Sequence, residues 1–447
     1  MALLSITTEG LQRLCDTLQI FADSHGMCVN TQKTEVVVFL PQRMQVATPN
    51  IMIKHERLDV KDEFKYLGLV VHNQKWFSTA ALKVCEKATK ALWALMSSMQ
   101  GLGIACTEVK ISLFNTLVAP VGNYGCQVWG VDYLRCERED LIFQNPMQKL
   151  ILHFLRMISG ASSRTSRWVI LREFGMRPVQ VFWACLCARW WNNCVTKTGS
   201  MSHNLMEQDV ELMMKGNDLC WSSKFLSCMG RLNLLGGESI GTLRQTSLHE
   251  VTSYRFQETL IIKAFDRQYE SIMNLHPHDP RTAPSRGLAM VKHQQWFHMD
   301  EMIQTKFSAP PAYIRSLLEF RIGSTTLRCH DHTLERAQRT CTLCDGNQIE
   351  DELHMIFECP VYDDYRKMEA WKGLFEGMGD THDMKKFMNQ DKQFLISQFV
   401  HRVLSHRQQL LDRNLSSQNF LGLDMIAEEH GGQLDMFDSD TDTDTCY

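Results

Sequence analysis

The sequence predicts an α+β chain: a small β segment ahead of residue 75, a mostly α-helical body behind it, and a metal-binding element towards the C-terminus. Three observations carry this. Runs of β-branched and apolar residues cluster early, and apolar positions recur at helical spacing from Thr79 to Val195. Three cysteines and a histidine then stand close together at Cys341, Cys344, His354 and Cys359.

The first element is a helix, because Leu11, Leu14, Leu18 and Phe21 share one face. Thr7 or Thr8 offers a capping oxygen, and Gly26 can close the end in the left-handed conformation. Strands are expected over residues 35–40, 51–53 and 66–71, each β-branched or apolar. From 79 to 99, Leu82, Cys85, Ala88, Leu92, Leu95 and Met99 keep to one helical face while Lys83, Glu86, Lys87 and Lys90 fall mostly on the other. Further helices are expected over 107–117, 140–158 and 179–195. Residues 159–163, 196–240 and 276–284 read as turns, loops or linkers, being rich in Gly, Ser, Pro and polar side chains. The tryptophans between Phe182 and Trp191 share a helix with Cys185, Leu186 and Cys187, so they are expected in the core rather than as platforms for bases.

At 447 residues the chain is long enough for two to four compact units of about 100 to 200 residues each. Its 44% hydrophobic and 22% charged residues exclude a fibrous or largely disordered protein. The net charge of -4 is unevenly spread: Asp424, Glu428, Glu429, Asp435, Asp438, Asp440, Asp442 and Asp444 meet no Lys or Arg in the C-terminal tail. Ahead of that tail stand 47 basic and 43 acidic residues, a mild basic bias compatible with a phosphate-binding groove without requiring one. The acidic tail, residues 423–447, is expected to be disordered. Sixteen cysteines, scattered through apolar stretches as at Cys185, Cys187 and Cys194, read as small core residues in a reducing compartment. The residues after Met1 lack the basic and apolar regions of a secretory signal, and the apolar stretch 179–191 is interrupted by Gln180 and Arg189. An intracellular protein, nuclear or cytoplasmic, with no membrane partner is the expectation.

The spacing Cys341-x2-Cys344-x9-His354-x4-Cys359 offers three thiolates and one imidazole, the number and softness of a closed tetrahedral structural zinc site. The Cys-x-x-Cys pair forms a knuckle, and Asp345-Gly346-Asn347 supplies its turn. Cys329, His330 and His332 are near enough in sequence to replace one ligand, and a set of unrelated core cysteines is the structural alternative.

Met1-Ala2-Leu3-Leu4-Ser5, Glu9-Gly10-Leu11-Gln12 and Gly26-Met27-Cys28-Val29-Asn30-Thr31-Gln32-Lys33-Thr34-Glu35 together resemble the reverse transcriptases of non-LTR (LINE-type) retrotransposons. In that family the first of these strings follows the box whose two carboxylates bind the polymerase magnesium ions. The resemblance therefore implies a C-terminal part of such an enzyme that starts just after the box and has no catalytic aspartate pair. Magnesium would then belong only to the complete parent enzyme. Lys33 matches a family lysine near the triphosphate, an accessory position where a cation offsets charge on the leaving pyrophosphate. Read without the family, Lys33 is a solvated turn lysine.

Lys65, Tyr66, Leu67 and Gly68, after Phe64, resemble the hairpin that grips the primer strand. The stretch ending Tyr124-Gly125-Cys126-Gln127-Val128-Trp129-Gly130 looks like the thumb, for which Lys83, Lys87, Lys90 and Lys110 would be phosphate donors. They fit an ordinary solvated helix face equally well. A Cys-Cys-His-Cys element is common downstream of the thumb, after an Arg-rich strip and before Cys-Pro-x-Tyr. Here Arg321, Arg328, Arg336 and Arg339 precede it and Cys359-Pro360-Val361-Tyr362 closes it. Such arginines can pair with phosphates or stack on bases, or else bridge to Glu335, Glu350 and Asp351.

The implied organisation is a palm remnant over 1–75, a helical thumb-like region over 76–160 and a helical connector over 161–320. An Arg strip and zinc knuckle over 321–370, a helical segment over 371–422 and the acidic tail complete it. The implied partners are RNA, RNA–DNA hybrid or single-stranded DNA, and the implied function is nucleic-acid binding without independent polymerisation. The competing expectation is a domesticated or host scaffold whose zinc element and acidic tail serve protein contacts.

Overall fold

A computed structural model describes residues 2–39, 48–75, 77–134, 138–161, 163, 165–274, 296, 309–331, 333–378 and 383–426. The expectations for Leu40, for residues 276–284, for His332 and for residues 427–447 of the acidic tail fall outside these, whereas residues 423–426, expected to be disordered, continue the helix Gln393–Ile426. The chain divides into two compact units, one of residues 1–311 with 321–324 and the other of 312–320 with 325–447.

The first unit begins with α1, Thr8–Ser24, where the apolar spacing predicts it. Thr7 is extended and its side-chain oxygen accepts the Gly10 N–H at 3.0 Å, while Gly26 sits at φ +66° just past the end. Six short strands follow: β1 Glu35–Val37, β2 Met52–Ile53, β3 Glu56–Arg57, β4 Asp59–Lys61, β5 Glu63–Tyr66 and β6 Leu69–His72. β1 pairs in parallel with β4, while β2 with β3 and β5 with β6 are antiparallel. Cys15, Val36, Ile51, Ile53 and Leu58 form the small core beneath them. Gln12 joins helix to strand, its amide accepting the Met52 N–H and donating to the Met52 carbonyl.

The expected strand over 66–71 is instead a hairpin. Tyr66 pairs with Leu69, leaving Leu67 at φ +47° and Gly68 at φ +87° as a two-residue turn. Positive φ at both positions matches the right-handed twist of the flanking strands, which explains a leucine in a conformation that side chains usually avoid.

α2, Ser78–Gly101, packs on β6 and buries Ala81, Val84, Ala88, Leu92, Leu95 and Met99. Leu82, assigned to that face, is exposed. The single helix expected over 107–117 is α3, Thr107–Leu113, a π-helical turn Phe114–Val118 and the short helix Ala119–Gly122, which carries Pro120 in its first turn. The one expected over 140–158 is also divided. Pro146 starts a new helix, Pro146–Ser159, with Asn145 accepting the Met147 and Gln148 N–H groups.

Helix Val179–Thr196 forms as predicted. Trp183 and Trp191 are fully buried, with indole N–H groups donating to Asn123 Oδ1 and the Tyr254 carbonyl, but Trp190, expected in the core, is exposed. Residues 196–240 are not a loop, since Met201–Met214 and Trp221–Arg231 are helices there. Ser200 caps the first of these, and Met206, Val210 and Met213 bury one face at helical spacing.

In the second unit, Phe375 and Phe387 form a ring cluster with Phe399 of helix Gln393–Ile426. Among the described residues, no helix is long and apolar enough to cross a membrane.

Candidate metal centre and nucleic-acid surface

The donor atoms of Cys341, Cys344, His354 and Cys359 all lie within 4.8 Å of one another. Local chemistry explains the convergence. The Cys341 N–H donates to the Gln348 carbonyl at 2.8 Å and the Glu350 N–H to the Arg339 carbonyl at 2.9 Å, a short ladder closed by Thr340 opposite Ile349. Asn347, at φ +46°, turns the chain between the two arms, a conformation asparagine tolerates well. A π-helical turn over His354–Glu358 then carries the chain from His354 to Cys359, whose N–H donates to the His354 carbonyl at 2.7 Å.

The imidazole is oriented from behind. Nδ1 lies 2.7 Å from Gln348 Oε1, which accepts its proton, and leaves Nε2 facing Cys344 Sγ at 3.4 Å. Two ligands of a tetrahedral zinc ion stand about 3.6 Å apart for one sulfur and one nitrogen, so this pair already has ligand spacing. The crowded thiols also divide their protons. Cys341 is held down to about 3, first by the Cys359 thiol and then by His354 and the Leu343 N–H. Cys359 is pushed far up by the Cys341 thiolate and by burial, and Cys344 is raised by burial. Burial opposes a charged His354, but Cys341 and Glu358 outweigh it and raise its pKa. A thiolate beside an imidazole and two further thiols is a donor set able to hold a soft divalent metal ion.

Two residues the sequence did not single out belong here. Gln348 sets the imidazole, and Arg366 donates to the Ile356 and Cys359 carbonyls while pairing with Asp363. Of the three alternative ligands, Cys329 and His330 gather around Glu352 instead, with donor atoms again within 4.8 Å.

The residues named for nucleic-acid contact fall into two sets. Lys65, Tyr66 and Leu67 are exposed on the β5–β6 hairpin, and Lys83, Lys87 and Lys90 are exposed on α2 at spacings of four and three, one helical stripe. The fold joins the hairpin to that helix. Lys87 Nζ donates to the Gly68 carbonyl at 3.1 Å, and the Tyr124 hydroxyl donates to the Leu67 carbonyl at 2.7 Å. Gly125, at φ +69°, lies so close to Leu69 that an added Cβ would sit 2.8 Å from its Cδ1. Lys83 makes a loose 3.9 Å pair with Glu86. Lys110 is half-buried.

The arginines are placed differently. Arg321 is buried and pairs with buried Glu173 at 3.1 Å. Arg328 donates to the Gln338 carbonyl, and Arg339 to the carbonyls of Leu334 and Cys329. These three guanidinium groups brace the chain, which a row of arginines in the sequence does not reveal. Only Arg336 of the four is exposed, in the short turn Arg336–Gln338. Lys33 is exposed in the turn Thr31–Lys33, where the Asn30 side chain accepts its N–H.

No protein-family model matches the chain, and no solved structure matches it. It is similar to the RNA-directed DNA polymerase from mobile element jockey of Drosophila melanogaster, 25% identical over 158 residues, which is 34% of this chain and 16% of that protein. It is also similar to the probable RNA-directed DNA polymerase from transposon X-element of the same organism, 25% identical over 150 residues, 32% of this chain and 16% of that protein. The chain thus matches only a sixth or so of the length of these relatives. Over about a third of its own length, the chain resembles the RNA-directed DNA polymerases of non-LTR retrotransposons.

Proposed function

We propose that this chain is part of a retrotransposon-type RNA-directed DNA polymerase and that, by itself, it holds RNA, RNA–DNA hybrid or single-stranded DNA without extending a primer. The observation that carries the reading is the union of the hairpin tip with the α2 lysine stripe through Lys87 and Tyr124. Exposed Tyr66 and Leu67 then offer apolar contact beside Lys65, Lys83 and Lys90, the combination that follows a phosphate backbone and covers base or sugar faces. The Cys341 cluster holds structural zinc in this reading.

The test is a salt titration of binding. Each phosphate contact releases counterions, so log affinity should fall with log salt by about 0.7 to 0.9 per contact. Replacing Lys65, Lys83 and Lys90 by Gln should flatten that slope by about 2. Deleting residues 424–447 should tighten binding, because eight acids that compete for the basic surface are lost. Weak, salt-independent binding by all three proteins would remove the nucleic-acid reading and leave a protein-contact scaffold in its place.

Primer extension on an RNA template should be undetectable with magnesium or manganese, because Lys33 cannot replace carboxylates that position two cations. Extension that survives stringent purification would overturn this.

A further inference from the structure

The geometry points to a second divalent-metal site in the C-terminal unit, formed by Cys329, His330 and Glu352 and separate from the Cys341 cluster. The short turn Arg328–His330 presents two neighbouring side chains, and the Cys329 N–H donates to the Glu350 carbonyl at 3.1 Å. That backbone bond brings the turn against the start of the segment carrying Glu352, more than twenty residues on. His330 Nε2 lies 2.6 Å from Glu352 Oε1, and Cys329 Sγ lies 3.9 Å from Glu352 Oε2. The three side chains are nearly inaccessible to water, at 2% for Cys329, 1% for Glu352 and 9% for the His330 side chain.

Burying a carboxylate is costly unless a cation is close, and a thiolate beside it would raise that cost. An imidazolium at His330 can offset one negative charge. A divalent ion offsets both the carboxylate and a thiolate, and leaves the imidazole neutral as its third ligand. One sulfur, one nitrogen and one oxygen suit borderline zinc, whereas calcium and magnesium take oxygen ligands. The contacts need little adjustment: tetrahedral ligands stand about 3.3 to 3.6 Å apart, so Cys329 and Glu352 close slightly while His330 and Glu352 part by under about 1 Å. From behind, Arg339 donates to the Cys329 carbonyl and to that of Leu334, fixing the backbone that carries the sulfur ligand.

The ligands of the two sites alternate along the chain. Cys329 and His330 come first, then Cys341 and Cys344, then Glu352, then His354 and Cys359. Two ions would thus close two interlocked loops, each holding the ends of the other, in a segment with little sheet of its own.

The test uses the full chain. Zinc analysis should give two equivalents for the wild type and one for Glu352→Gln, a near-isosteric change whose fold is checked by circular dichroism. Glu352→Gln should keep the three-sulfur cobalt spectrum of the Cys341 cluster, so failure at one site is distinguishable from failure at the other. Cobalt titration of the wild type needs no variant: the thiolate charge-transfer absorption of one bound cobalt should be about one third that of the other, from one sulfur against three. Two equivalents with these unequal spectra support the second site. A single equivalent in folded wild type, or a zinc content unchanged by Glu352→Gln, would overturn it, as would loss of the three-sulfur spectrum in Cys329→Ser.

Discussion

Replacing Cys344 by Ser is expected to remove one zinc and to open the segment from Cys341 to Cys359 to solvent exchange. Metal binding at a closed thiolate and imidazole site contributes about 10 to 16 kcal/mol of apparent free energy at neutral pH, comparable with the whole stability of an ordinary domain at about 5 to 15 kcal/mol. Apart from the Glu350 carboxylate, which Arg407 holds, little around this site can substitute. The ladder between 339 and 350 is short, and the helical portion is a single π turn. Met355 and Ile356 are buried beneath it and Tyr362 just beyond, so the loss extends into the apolar packing of the unit. Hydrogen exchange and limited proteolysis, read alongside metal content, check this. Strong protection of residues 341–359 in metal-free wild type would show that the segment is held by packing and the cysteines are ordinary core residues.

How much of this was legible depends on how local the physics is. The first helix was readable because its cap and its left-handed closing glycine lie within Thr7 to Gly26, but the face it buries is that of Cys15 and Ala22, while Leu14 and Phe21, assigned to the apolar face, are exposed. The gathering of Cys341, Cys344, His354 and Cys359 was readable because knuckle spacing is itself the geometry. The hairpin was read by resemblance but not by pattern: the run 66–71 looks continuous, and only the pairing of Tyr66 with Leu69 shows that the chain reverses inside it. Helix Met201–Met214 was missed because its apolar positions are mostly methionines among polar residues, although Met206, Val210 and Met213 keep helical spacing.

The arginines were the least legible. Whether a guanidinium meets solvent or the chain is decided by a partner that the row of arginines does not show: buried Glu173, far away in sequence, for Arg321, and the carbonyls of Gln338 and Leu334 for Arg328 and Arg339. For the same reason, Cys329 and His330 were offered as spare ligands of one site when Glu352 gathers them into a group of their own.

The other large effect is expected at a pair the sequence did not suggest. Glu350 was a candidate partner for the Arg strip, yet its carboxylate receives Arg407 Nε and Nη2, each at 2.7 Å, from helix Gln393–Ile426. It also accepts the Arg328 N–H at 3.1 Å, while Arg407 donates to the Thr326 hydroxyl and carbonyl at 3.0 Å. Both side chains are 3% exposed. The pair therefore clamps the helix to the two segments that carry the Cys and His clusters, and its geometry is the bidentate fork that arginine forms well. Arg407→Ala should destabilise the unit by about 3 to 5 kcal/mol, because a carboxylate is left buried without its cation. Replacing both residues together, Arg407→Met with Glu350→Leu, should recover a large part of that loss, since the cost lies in the orphaned charge more than in the missing attraction. Denaturant unfolding of the two single variants and the double variant measures the coupling directly. A loss below about 1 kcal/mol for Arg407→Ala would mean that water reaches Glu350 and that the clamp contributes no more than a surface pair does.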